Sequence, residues 1–134
     1  MDIKQGESVF EEFLSSCKTN CNLIYVFKNV LKDAYIDFQI ISKEKLIDFI
    51  GNDGLCNVKV NNINTLSDNA KITVYSYDFE ALNKIGYLAC YKYNDKFIIK
   101  SFKRNHKDKI GDVSKSEQFK STIKQIGLST KDFN

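Results

Sequence analysis

The chain has no proline and no tryptophan, and its 134 residues hold one methionine, one histidine and six glycines. Without proline, no helix or strand is broken by a missing N–H, and turns fall to asparagine, aspartate and glycine. A single histidine, His106, leaves Cys17-x3-Cys21 as half of a zinc site, because Cys56 and Cys90 lie apart. The four cysteines read as reduced thiols filling a core. The polar start, Met1-Asp2-Ile3-Lys4-Gln5, does not resemble a leader, so the expected location is cytoplasmic. No apolar run approaches the roughly 18 residues of a membrane span, so no membrane is expected as a partner. Repeats, low-complexity tracts and linkers are also missing.

What is present argues for a folded globule. Hydrophobic residues make up 43%, with ten Phe and seven Tyr. The length fits one domain over 1–134. Twenty basic against seventeen acidic residues give a net charge of +3, which permits nucleic-acid binding without specifying it.

Residues 7–17 read as an amphipathic helix with Val9, Phe10, Phe13, Leu14 and Cys17 on one side. Glu7 flanks that side, Glu11 lies farther off and Glu12 is nearly opposite. Residues 23–31 read as a strand rich in β-formers, and 33–41 as a second strand paired with it. In the second, Ile36, Phe38 and Ile40 point one way, and Asp37, Gln39 and Ile41 the other. Residues 42–51 suit a helix capped by Ser42, or a strand over 46–50. A strand at 56–60 puts Asn57 and Lys59 on one face. Residues 61–69 read as a polar loop and 71–77 as a strand. Asp78 then opens a helical turn through Leu82, ending at Gly86. Residues 87–93 and 96–102 form a hairpin around Asn94-Asp95. A last helix spans 114–126, capped by Ser114 or Ser116, with Phe119, Ile123 and Ile126 inward and Gly127 at its end. Residues 128–134 fray. The expected fold is α+β: a mixed central sheet flanked by an N-terminal and a C-terminal helix.

Neighbouring strands at 33–41 and 56–60 would bring Asp37, Asn57 and Lys59 onto one surface. Oxygen donors there would hold Mg2+, and the lysine would orient water near a phosphate. Polar residues alternating with apolar ones are also what any half-exposed strand shows. Asp33-Ala34-Tyr35-Ile36-Asp37-Phe38 and Cys56-Asn57-Val58-Lys59, after a helix bearing Glu7, resemble the PD-(D/E)xK restriction-endonuclease-like superfamily over about residues 7–102. The resemblance implies a metal-dependent nuclease acting on phosphodiesters, with DNA as the first candidate. It implies Asp37, Asn57 and Lys59 as catalytic residues, and Asp37, Asp33 and Glu7 around the metal. Two positions depart from the pattern: Tyr35 replaces a glycine, and Asn57 replaces Glu or Gln.

Two other readings stay open. Asn57 also suits a domain that kept the scaffold and lost the chemistry, such as an immunity or antitoxin protein. Such a protein would bind a toxin or nuclease through exposed tyrosines among Tyr75, Tyr77, Tyr87, Tyr91 and Tyr93. The stretch 99–106 resembles the end of RelE-type toxin domains, which implies metal-free RNA cleavage using Arg104 and His106. The basic run 100–109 offers Lys103, Arg104 and Lys107 as phosphate contacts, though such a run is more often a solvated strand end.

Overall fold

Asp2 starts the first helix: its side chain accepts a hydrogen bond from the Gln5 N–H at 3.0 Å. The computed structural model describes residues 2–105. The expected helix at 114–126, the tail 128–134, His106 and Lys107 lie outside the described residues. Helix α1 (Ile3–Thr19) buries Gly6, Val9, Phe13 and Cys17, the inward stripe that the spacing predicts. Strand β1 (Ile24–Val26) is followed by helices α2 (Lys28–Phe38) and α3 (Lys43–Gly51). Four strands then follow: β2 (Cys56–Leu66), β3 (Asn69–Ala81), β4 (Lys84–Tyr93) and β5 (Lys96–Arg104). None of the described helices is long and apolar enough to cross a membrane.

The sheet order is β1-β5-β4-β3-β2. β1 pairs in parallel with β5, Ile24 opposite Phe97, and every other pairing is antiparallel. The sheet is therefore mixed, as expected. All three helices pack on one of its faces. They bury Val9, Phe13, Val30, Ala34, Phe38, Leu46 and Ile50 against Tyr77, Phe79, Leu88, Cys90, Phe97, Ile99 and Phe102. α1 comes close to β2: a Cβ added at Gly6 would lie 2.8 Å from Val60 Cγ2. The Gly6 carbonyl also accepts the Tyr77 hydroxyl at 2.6 Å.

Four expectations about elements are corrected. The strand expected at 23–31 is cut to Ile24–Val26, and the one at 33–41 is replaced by α2. Val30, Ala34, Asp37 and Phe38 fall at i, i+4, i+7 and i+8 and are buried together. That 3.6-residue face packs on β5 and overrides the period-2 alternation of Ile36, Phe38 and Ile40. Gln39 then ends the helix in the left-handed region, with φ 57° and ψ 32°. The polar loop at 61–69 is mostly strand, because β2 runs on to Leu66 as the outer edge of the sheet. The helical turn at 78–82 is strand as well. Leu82 and Asn83, with φ 51° and 64°, make the tight turn from β3 to β4. The Asn94-Asp95 hairpin stands as expected, and of the two readings open for residues 42–51 the helix capped by Ser42 is the one formed.

Candidate functional site

β2 and β3 meet in antiparallel register, with Lys59 opposite Asp78 and Cys56 opposite Glu80. An irregularity between Cys56 and Lys59 puts Asn57 at φ 50°. Tyr77 and Phe79 point into the helix-side core, so Asp78 and Glu80 point to the other face of the sheet. Asn57 donates to Glu80 there. Asn61 donates to both oxygens of Asp78 at 3.0 Å, and Asn105 donates to Oδ1 at 3.3 Å. Acids and amides therefore meet on one surface, with Lys59 at the register position opposite Asp78. The acids are Asp78 and Glu80 of β3, and Asp37 is not among them.

Asp37 lies elsewhere, and its expected role on a shared surface with Asn57 and Lys59 is corrected. It sits near the C-terminal end of α2, on the helix side of the sheet, where it is buried. Its Oδ2 accepts the Arg104 backbone N–H at 2.9 Å, and its backbone carbonyl accepts Lys84 Nζ. Lys59 is on the opposite face and on β2, three strand spacings from β5, or about 14 Å at ~4.8 Å each. The physical cause is the helical face of α2, which turns Asp37 toward the sheet as part of the packed stripe. The other expected Mg2+ ligands are also dispersed: Glu7 is exposed on α1, and Asp33 is half-buried on α2. Among the described residues no three acids, cysteines or histidines gather where one ion could be held. At the β2–β3 margin, Asp78 and Glu80 are the carboxylates a cation would meet, and amide donors already occupy them.

Asp37, Lys84 and Arg104 form a buried ionic cluster under α2. Burial, and then the Arg104 charge, push the Lys84 ammonium down to about 8, opposed by Asp37. Burial also lowers the Arg104 guanidinium, again opposed by Asp37. Lys84 Nζ also stands 5.5 Å from the centre of the Phe38 ring. Arg104, expected to contact phosphate, is thus turned inward, while Lys103 is exposed. Sequence reasoning missed Lys84, Asp78 and Glu80. Asp78-Phe79-Glu80 did carry a strand signal, one apolar residue between two acids, which the reading of Asp78 as a helix cap hid.

The tyrosines proposed as an exposed patch are also rearranged. Tyr77 is buried in the core, Tyr91 is buried on the opposite face, and Tyr75 and Tyr87 are half-buried. Tyr93 alone of the five is exposed. The exposed apolar surface is concentrated instead in one stretch. Among the eight exposed large apolar side chains of the described residues, five are Tyr25, Phe27, Tyr35, Ile36 and Ile41. Tyr25 and Phe27 meet edge to face, with centroids 5.5 Å apart. Helical geometry puts Tyr35 and Ile36 on the outward side of α2 with Lys28 and Lys32, away from Val30, Ala34 and Phe38. No family model, no curated protein and no solved structure matches this chain.

Proposed function

We propose that this chain is a non-catalytic binding protein that docks a protein partner on the β1–α2 margin of its sheet. The observation that carries this reading is the run of exposed apolar side chains from Tyr25 to Ile41. Tyr35 is 58% and Ile41 72% exposed, and all five side chains come from one continuous stretch. Scattered single apolar residues are ordinary on a surface, whereas a concentrated set with aromatics marks a contact surface. The placement of Asp37 supports the same reading. Its carboxylate closes a backbone hydrogen bond inside the fold, so its burial has a structural cause. Of the sequence readings, the immunity or antitoxin type of protein, with a toxin or nuclease as partner, fits this surface best.

The test is co-purification with a candidate toxin or nuclease, using the full chain and a Tyr35→Glu/Ile36→Glu variant. Both positions face solvent, so the variant is expected to keep its melting temperature and lose the partner by at least ten-fold in affinity. Equal retention by the variant would move the contact elsewhere. Cleavage of DNA with Mg2+ or Mn2+ by purified protein, lost in Lys59→Ala, would replace this reading with the nuclease one. Cleavage of RNA in EDTA, lost on changing His106, would replace it with the ribonuclease one.

A further inference from the structure

Charge is unevenly spread over the fold. β1, α2 and β5 lie together, β1 paired with β5 and α2 packed on it. Among the described residues of these three elements, Lys28, Lys32, Lys96, Lys100 and Lys103 are exposed and no acid is: Asp33 is half-buried and Asp37 buried. α1 has the opposite balance, with Glu7, Glu11 and Glu12 exposed beside Lys4 and Lys18. Two choices at the start of α2 also weaken the helix. Phe27 holds the N-cap and makes no side-chain hydrogen bond there, where a serine or aspartate would accept an N–H. Lys28 takes the first helical position, where a cation opposes the helix dipole, and the first turn contains no acid. Both side chains are exposed and border the docking patch. The fold gains nothing from either, which fits a surface shaped for contact. Lys28, Lys32, Tyr35 and Ile36 fall at i, i+4, i+7 and i+8, so α2 carries one outward stripe, basic at its start and apolar at its end.

We propose that the partner docked on this margin presents an acidic protein surface, with carboxylates over Lys28 and Lys32 and apolar side chains over Tyr35 and Ile36. This rests on the docking reading above and adds the chemical class of the partner. Opposite charge steers the encounter and repels wrong partners, while the apolar pair supplies the desolvated contact. A groove that binds nucleic acid is itself basic and would be repelled by these lysines. On a toxin or nuclease, the docked face is therefore a different, acidic one.

Two synthetic amphipathic peptides, titrated against the full chain, test it. Both are about eighteen residues long with leucine at i, i+3, i+4 and i+7. One alternates glutamate and glutamine at the remaining positions, the other lysine and glutamine. At about 50 mM NaCl the chain is expected to bind the glutamate peptide at least ten-fold more tightly than the lysine peptide, an advantage that shrinks at about 500 mM. Lys28→Glu/Lys32→Glu is expected to abolish the advantage and keep the melting temperature, since both positions face solvent. Lys4→Glu/Lys18→Glu, on α1, is expected to leave the advantage in place. Equal binding of the two peptides, binding of neither, or an advantage that survives Lys28→Glu/Lys32→Glu would overturn the proposal. If Tyr35→Glu/Ile36→Glu still loses the toxin or nuclease in that event, the docking reading stands and only the acidic class falls. Tighter binding of a single-stranded oligothymidylate, lost in the same lysine variant, would assign the margin to nucleic acid and overturn the proposal equally.

Discussion

Gly86 has no room for a side chain. A Cβ there would lie 2.2 Å from Phe79 Cζ, and the Phe79 ring stacks on Phe102 with centroids 5.1 Å apart. Gly86→Ala must move one ring of a packed set, so it is expected to cost about 1–3 kcal/mol, read as a lower midpoint in urea. Lys84 makes a pH-dependent contribution whose sign follows from its lowered pKa. Between about 8 and the ordinary value of 10.5, the unfolded chain holds a proton on this amine that the folded chain has released. Stability from this group therefore rises with pH across that window, by about 1.4 kcal/mol for each pKa unit. Cys17, pushed up to about 12 by burial, and Cys90, pushed up likewise, act the other way above about pH 9. The measurement is thus the difference between wild type and Lys84→Met. Wild type should gain on the variant from pH 8 to 10.5, and a flat difference would remove Lys84 as the cause. At this scale the sequence was least legible. Nothing in the letters around Asp37 distinguishes a carboxylate that caps a backbone N–H indoors from one that faces water.

The turn between β3 and β4 places Leu82, a branched side chain more than half exposed, at φ 51°. Left-handed backbone is costly for such a residue and cheap for glycine. Leu82→Gly is expected to raise stability by about 1 kcal/mol, measured as an upward shift in melting temperature. Ser42→Ala works in the opposite direction. It removes the hydroxyl that accepts the Lys45 N–H at 3.1 Å and should cost about 1 kcal/mol. The same local chemistry explains which elements could be read in advance. The last hairpin was readable from Asn94-Asp95, whose positive φ values of 49° and 62° suit those residues, whereas Ser42 left 42–51 open between a capped helix and a strand. The Leu82-Asn83 turn lacks glycine and was missed. α2 was misread because its buried face includes Asp37, which breaks the apolar spacing of Val30, Ala34 and Phe38. β2 was taken for a loop over its second half because an edge strand rich in asparagine looks like one.

Over the whole molecule, protection should follow position in the sheet. β4 has strands on both sides and lies at the centre, whereas β2 is an edge with three register irregularities. Amide exchange is expected to be slowest at Leu88 and Cys90 and much faster along Asn61–Asn64. Equal rates on the two strands would contradict this arrangement. The α+β class and the mixed sheet were legible because they depend on broad patterning, which tolerates errors in single elements. The proposed site was not, because it depended on one particular strand pairing that the helical face of α2 prevents. The parallel partnership of β1 with β5 also bears on how the protein is made. Ile24 pairs with Phe97, and at about 5–20 residues per second a ribosome takes about 4–15 s to travel between them. During that interval the emerging chain holds Ile24 and Val26 with no strand to join. The edge of the sheet formed by β1 is therefore completed only once the last strand has been synthesised.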